Sequence, residues 1–203
     1  MGIPSVAAVV LAAGASHRLG RPKALVTLGG FPLIWWSCHH LEKAGCSPIV
    51  VVVHQDLVND VKSWIPQVQL VVNPSPDEGR TGSLQCGLQA LEEVHGPMQR
   101  VVMAPVDRPG WNASVVAGLM RRFNSVCVGF NGQRGHPVCL DREAIDAILK
   151  APPTTPLREL VPFEPVELTA PFLTLNIDNE QDVAHLLNEE TALLDYFAEG
   201  EEI

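Results

Sequence analysis

The residues best suited to chemistry begin in one short stretch. Leu11-Ala12-Ala13-Gly14-Ala15-Ser16-His17-Arg18-Leu19-Gly20-Arg21-Pro22-Lys23 follows an apolar run that opens at Val6. Small residues at 12–15 let backbone come close to a ligand, and Gly14 is free to adopt positive φ. Successive N–H groups in such a loop form an anion-binding concavity. Arg18 and Lys23 add full charges suited to phosphate oxygens. A loop that merely ends a strand is the plainer reading. The stretch is not a P-loop, because five residues separate Gly14 from Gly20 and Arg21-Pro22 follows. The dinucleotide fingerprint GxGxxG is absent too.

Three further stretches gather Gly, Arg and Asp. Asn73 precedes Gly79-Arg80-Thr81-Gly82-Ser83-Leu84-Gln85-Cys86-Gly87-Leu88, a glycine-rich entry to a helix. Thr81 or Ser83 can cap that helix, whose N-terminus suits an anion or a polar base. An ordinary capped helix would read the same way. Met103-Ala104-Pro105-Val106-Asp107-Arg108-Pro109 sets a carboxylate just past a buried strand. Such an oxygen can hold Mg²⁺, which binds through one or two carboxylates plus phosphates; a turn-forming or capping Asp is the alternative. Arg108 can pair with Asp107 or take an acceptor phosphate. Asp178, in Asn176-Ile177-Asp178-Asn179-Glu180-Gln181-Asp182, reads on its own as a possible N-cap of the last helix. Gly135-His136-Pro137 reads as a loop with a partly exposed histidine.

The elements that must position these groups follow from periodicity. Residues 6–11, 49–53, 68–72, 100–104 and 126–130 are rich in Val and Ile and mostly do not alternate in polarity. That marks strands covered on both faces, hence a largely parallel sheet. Helix patterns fall between them. One is opened by Pro32 and runs to about residue 44; another covers 56–64. A third carries Leu84, Leu88 and Leu91, and a fourth has Val115, Val116, Leu119, Met120 and Phe123 on one face. Asn131-Gly132 predicts a hairpin whose return strand holds 137–140. Asp141 caps a helix to about 149, and 151–156 is a Pro-rich connector. Short strands are expected near 166–168 and 172–176. A last helix starts near Asn179, with Val183, Leu186, Leu187, Leu194 and Phe197 on one side. The β-α-β-α rhythm predicts a three-layer α/β/α sandwich, one domain over 1–198, with 199–203 an acidic, frayed tail.

Composition bounds the function. With 203 residues, 46% hydrophobic and 18% charged, the chain can bury a core and is not disordered. No apolar run is long enough for a membrane span. No basic segment precedes the run that ends at Gly14, so a secretory signal is not expected and the cytoplasm is the default. Five cysteines without a CxxC pair are read as reduced and mostly buried. The net charge of −9 argues against nucleic acid as a partner. Residues 1–158 hold 14 basic and 11 acidic side chains, and the remainder holds 12 acidic and none basic. Arg18, Arg21, Lys23, Arg80, Arg108 and Arg134 sit in loop-like segments, which suits a small anionic ligand.

The first loop resembles LAAGxSxRxGxxK of the nucleotidyltransferases that activate sugar phosphates, isoprenoid precursors and molybdenum cofactor. Leu11, Ala12, Ala13, Gly14, Ser16, Arg18, Gly20 and Lys23 match. Gly135-His136-Pro137 and the stretch around Asp178 are similar to motifs of the MobA-like branch, especially its molybdenum cofactor cytidylyltransferases. The resemblance implies a Rossmann-like nucleotide-diphospho-sugar transferase fold and an Mg²⁺ (or Mn²⁺) cofactor. It implies Asp107 and Asp178 as the metal carboxylates and Lys23 and Arg18 on phosphates, with Lys23, Arg18 and Asp107 catalytic. Leu11, Ala12, Ala13, Gly14, Ser16, Asn73, Gly79, Ser83 and Gly87 are the implied nucleotide contacts, and Arg108, Gly135 and His136 the acceptor contacts. Arg108 stands where the family has Gln. Ala13 replaces the Gly of guanylyltransferases, which favours CTP over GTP.

The implied reaction is attack of an acceptor phosphate, such as molybdopterin cofactor, on the α-phosphorus of a nucleoside triphosphate, with pyrophosphate leaving. An ionised attacking group needs no general base, in line with the absence of a GxSxG elbow. Alternatives are a sugar-phosphate nucleotidyltransferase, or a non-catalytic nucleotide-binding or cofactor-delivery protein whose acidic end docks a molybdoenzyme client. A glycosyltransferase fits less well, because Asn176-Ile177-Asp178 is only an imperfect, late Asp-x-Asp.

Overall fold

A computed structural model describes residues 6–14 and 18–201. Strands β1 (Ala7–Ala12), β4 (Ile49–Val53), β5 (Gln69–Val72) and β6 (Arg100–Pro105) run parallel to one another in one sheet. The Val-rich runs of β1, β4 and β6 are buried on both faces, because helices pack above and below, while β5 at the sheet edge is only partly covered. Strands β7 (Val126–Phe130) and β8 (Gln133–Asp141) form the expected hairpin, turned at Asn131 (φ 50°) and Gly132 (φ 77°). β8 runs antiparallel to both β6 and β7, and β9 (Glu164–Glu167) adds parallel to β7. The seven-stranded order is β5-β4-β1-β6-β8-β7-β9.

One helical layer holds α3 (Arg80–His95), α5 (Arg142–Lys150) and the short α6 (Leu157–Leu160). The other holds α1 (Leu33–Lys43), α2 (Val58–Trp64), α4 (Ala113–Met120), α7 (Glu180–Asn188) and α8 (Glu190–Glu199). The fold is therefore the three-layer α/β/α sandwich with a mostly parallel sheet. From β1 the chain builds outward to β4 and β5, then returns across β1 to β6. That reversal opens a crevice at the carboxyl ends of β1 and β6, the place where open α/β sheets bind ligands.

Several expectations need correction. Residues 172–176 are not a strand but a run of turns, held by Leu173 N–H to Ala170 O and Leu175 N–H to Phe172 O. The last helix is two, broken at Glu189, and Leu187 points to solvent. Phe123 lies beyond the end of α4 and is 85% exposed. Pro32 ends a small hairpin, β2 (Thr27–Leu28) with β3 (Phe31–Pro32), before α1 begins. Gly29 and Gly30, both at positive φ, make its turn. The end of the chain is pinned as far as Glu201, whose carboxylate meets His39 Nε2 at 2.7 Å and Lys43 Nζ at 3.6 Å. Among the described residues no helix is long and apolar enough to cross a membrane.

Candidate active site

The crevice holds a cleft of about 260 Å³. Its walls include Leu11, Ala12, Ala13 and Gly14 at the end of β1, Gly79 and Ser83 at the start of α3, and Asp107 beyond β6. Val106 N–H donates to Leu11 O at 3.0 Å, so the two strand ends leave the sheet side by side. Lys23 enters on a single 3₁₀ turn, Lys23–Leu25, set up by the extended Pro22.

Asp178 arrives from the far end of the chain by two devices. Ile177 N–H donates to Asp107 O at 2.9 Å, which ties its segment directly to the metal-candidate loop. Asn179, not Asp178, caps α7: its side chain accepts from Gln181 and Asp182, and Asp182 accepts in return from Asn179 N–H. Asp182 also accepts from Asp178 N–H at 2.8 Å. The Asp178 carboxylate is thereby left for other partners. Close approach of the two loops also requires a glycine. A Cβ on Gly110 would fall 1.8 Å from the Phe172 carbonyl oxygen.

At the meeting point, Lys23 Nζ lies 2.5 Å from Asp178 Oδ1 and 3.6 Å from Asp107 Oδ2. Arg18 Nη1 is 3.6 Å from Asp178 Oδ2, and Asn176 Nδ2 donates to the same oxygen at 2.8 Å. The Lys23 hydrogen bond, with Asn176 and Arg18 adding to it, holds the Asp178 carboxyl below the usual carboxylate range. Asp107 Oδ1 is buried without a hydrogen-bond partner. Arg18 is otherwise exposed, and Arg21 braces the loop through two 3.0 Å contacts with Glu180.

Four sequence expectations are placed differently. Gly87 faces the core: its missing Cβ would meet Val9 Cγ1 at 2.5 Å, so it serves helix–sheet packing and not the nucleotide. Asn73 is buried behind the cleft and donates to Ser83 Oγ at 2.9 Å, acting through Ser83. Neither Thr81 nor Ser83 caps α3, whose N-cap is Gly79. Part of the helix terminus proposed for an anion is already used, since Gly82 N–H donates to Pro153 O and Thr81 Oγ1 to Thr155 O. Ser16 lies outside the described residues.

A wider pocket of about 840 Å³ adjoins the cleft at Gly79 and Arg80. Arg108, Gly135 and His136 line it. Gly135 is needed for close packing, because a Cβ there would meet Leu173 Cδ1 at 2.6 Å. Arg80 Nη1 stands 3.2 Å from His136 Nε2. Burial, then the Arg80 and Arg108 charges, push His136 down to about 3, so the ring is neutral. A guanidinium only donates, so Nε2 accepts and the proton sits on Nδ1. Sequence reasoning missed Arg158 and Thr154 in this wall, and left Arg134 as one loop cation among six. The signal for the two arginines was the clustering of basic residues near turns and the Pro-rich connector.

A profile of the MobA-like NTP transferase domain matches residues 8–167, which include both strand ends of the cleft. The chain belongs to this family. A molybdenum cofactor guanylyltransferase of Xanthomonas euvesicatoria pv. vesicatoria is 30% identical over 136 residues, covering 67% of this chain and 64% of the relative. A 2-C-methyl-D-erythritol 4-phosphate cytidylyltransferase of Rhodococcus opacus is 33% identical over 117 residues, 56% of this chain and 51% of the relative. The MobA-like chain thus spans between half and two thirds of the length of these two relatives. The crystal structure of a homolog of Mycobacterium tuberculosis rv0371c, from Mycobacterium sp. strain JC1, shares the fold. Its TM-score is 0.78 at 24% identity, over 93% of this chain and 98% of that one.

Proposed function

We propose that this MobA-like chain transfers a nucleoside monophosphate from a nucleoside triphosphate to a phosphorylated small molecule and releases pyrophosphate. The observation that carries the reading is the convergence of Lys23, Asp107 and Asp178 at the mouth of a cleft floored by the backbone of Ala12, Ala13 and Gly14. A triphosphate needs cations and N–H donors along one wall. Lys23 and Arg18 supply the charge on the pyrophosphate side and neutralise what builds up there as the bond to the α-phosphorus breaks. The attacking acceptor phosphate is already ionised, so the residues only have to orient it, and catalysis is positioning plus charge stabilisation.

The two carboxylates fit a hard divalent cation. They converge on one cationic point, taken by Lys23 Nζ, and Asp107 keeps a buried oxygen free of hydrogen bonds. Among the described residues no cluster of three or more His, Cys, Asp or Glu offers a closed metal site. Two carboxylates completed by phosphate oxygens are the usual surroundings of Mg²⁺, and Mn²⁺ shares that preference for oxygen. Asp107 and Asp178 would hold the ion, which when bound neutralises phosphate charge and polarises the α-phosphate.

We place CTP first among nucleotides and molybdopterin cofactor first among acceptors. Ala13 supports the pyrimidine: it packs in the core on the α3 side and lines the same cleft as Ser83, where a methyl in place of hydrogen narrows the space for a base. The guanylyltransferase and cytidylyltransferase relatives make GTP and other phosphorylated acceptors the competing substrates. The acidic α7 and α8 are the surface we assign to a molybdoenzyme client, in the cytoplasm. Pyrophosphate release with Mg²⁺, for each triphosphate against a panel of phosphorylated acceptors, tests the proposal. Nucleotide binding without release on any acceptor would convert it to a delivery or sensing role.

A further inference from the structure

The wider pocket carries more positive charge than one phosphate needs. Arg80, Arg108, Arg134 and Arg158 line it, each from a different segment: the start of α3, the loop after β6, β8 and α6. Among the described residues no Asp or Glu shares the lining, and none of the four pairs with a carboxylate. Arg142, by contrast, is held by Glu92 and Asp146. Four guanidiniums without carboxylate partners around one cavity, in a chain of net charge −9, make a local positive field that favours an anion. Arg108 Nε and His136 Nδ1 are buried there without hydrogen-bond partners.

The arginines fall into two groups. Arg80 and Arg108 flank the neutral His136 on the side that opens to the nucleotide cleft and Asp107. Arg134, which pairs across the sheet with Gly129 on β7, and Arg158 on α6 line the wider pocket but not the cleft. The lining also includes the apolar Val138, Val161, Pro162 and Phe163. Two guanidiniums, each able to bind it bidentately, already balance the charge of a phosphate monoester dianion. We propose that the acceptor carries two separate anionic groups on an apolar, ring-sized body. The attacking phosphate is held by Arg80 and Arg108 and a second anion by Arg134 and Arg158. The assignment deepens the transferase reading and rests on it.

Calorimetric titration of the full chain with phenyl phosphate and with 4-carboxyphenyl phosphate tests this. The two probes share ring and phosphate and differ by one carboxylate. The unaltered protein is expected to bind the carboxylated probe about tenfold more tightly or better, the scale of one charge-assisted pair. The double variant R134A/R158A, at two exposed positions, should lose that preference while its affinity for phenyl phosphate stays the same. R80A should weaken both probes. Equal affinity of the two probes for the unaltered protein, no binding of either at millimolar concentration, or a preference that survives R134A/R158A overturns the assignment. Probe preference without pyrophosphate release on any acceptor removes the transferase reading and leaves the two-anion pocket; release without probe preference removes the pocket assignment alone.

Discussion

Lys23 and Asp178 stand 155 positions apart in the chain, and the ammonium of one lies 2.5 Å from a carboxylate oxygen of the other. The pair is partly open to solvent, and an ion pair at such a site stabilises a fold by no more than about 1 kcal/mol. Stability does not explain why a 3₁₀ turn, a capping box on Asn179 and a backbone bond from Ile177 to Asp107 all converge on it. The proposed transfer does: there Lys23 would face a developing phosphate charge and the carboxylates would hold the metal, and such groups are worth about 3–4 kcal/mol to a transition state. Asp178→Asn and Asp107→Asn are therefore expected to lower pyrophosphate release by about 100-fold or more, with melting temperatures within a few degrees of the parent. Turnover within threefold of the parent would take both residues out of the reaction.

The nucleotide itself should be visible as stability. A ligand at a hundredfold excess over Kd adds about 2.7 kcal/mol, and for a chain of this size each kcal/mol moves the melting point by about 2–4 °C. CTP with Mg²⁺ is thus expected to raise it by about 5–10 °C, and more than GTP does. Lys23→Met should abolish most of the shift, because it removes the cation facing the triphosphate. A larger rise with GTP than with CTP would reverse the base assignment drawn from Ala13.

Two glycines separate packing from binding. At Gly87 a methyl would strike Val9 and Val52, deep under α3. Gly87→Ala should lower the melting temperature by an overpacking penalty of about 1–3 kcal/mol and leave nucleotide affinity unchanged. At Gly110 the obstacle is the Phe172 carbonyl, which cannot rotate away, so the loop carrying Asp107 has to part from the segment carrying Asp178. Gly110→Ala should lose stability and turnover together. A Gly87→Ala protein with weakened nucleotide binding would restore that residue to the site.

The layout was legible wherever local chemistry settled the structure. Val-rich runs gave the parallel strands, Asn131-Gly132 the hairpin and the pattern from Asn179 onward the start of α7, although its cap is Asn179 and not Asp178. Lys23, Asp107 and Asp178 were singled out by type and motif, and the fold brings them together. What local pattern could not show was decided by contacts distant in sequence. Residues 172–176 have strand-like composition, yet Leu173 and Leu175 spend their N–H groups on local turns, and the next residue, Ile177, donates to Asp107 O. Gly87 sits in a glycine-rich entry that reads like a ligand loop, but Val9 and Val52 claim its space. Asn73 and Thr81 spend their hydrogen bonds on Ser83 and on the connector at Thr155. Arg134 and Arg158 join Arg80 only because β8 and α6 close over the same cavity.

A buried histidine, His40, and a partly buried one, His136, contribute to the response to acid. His40 packs between Trp36, Trp111 and Phe197 with neither ring nitrogen hydrogen-bonded, and burial pushes it down to about 3. His136 is held at about 3 as well. Both are neutral in the fold, whereas an unfolded histidine takes a proton near pH 6.5. Below that value the unfolded chain binds more protons than the folded one, so stability falls as pH drops from about 6.5 toward 3 and is complete above it. Each histidine contributes a slope of up to about 1.4 kcal/mol per pH unit. Denaturant titrations at pH 7 and pH 5 should show the loss. His40→Leu removes two unpaired buried nitrogens at similar volume, so it should hold or raise stability at pH 7 and shed less of it at pH 5. A cost above 2 kcal/mol at pH 7, or an unchanged acid slope, would mean that His40 is not the buried neutral base its surroundings make it.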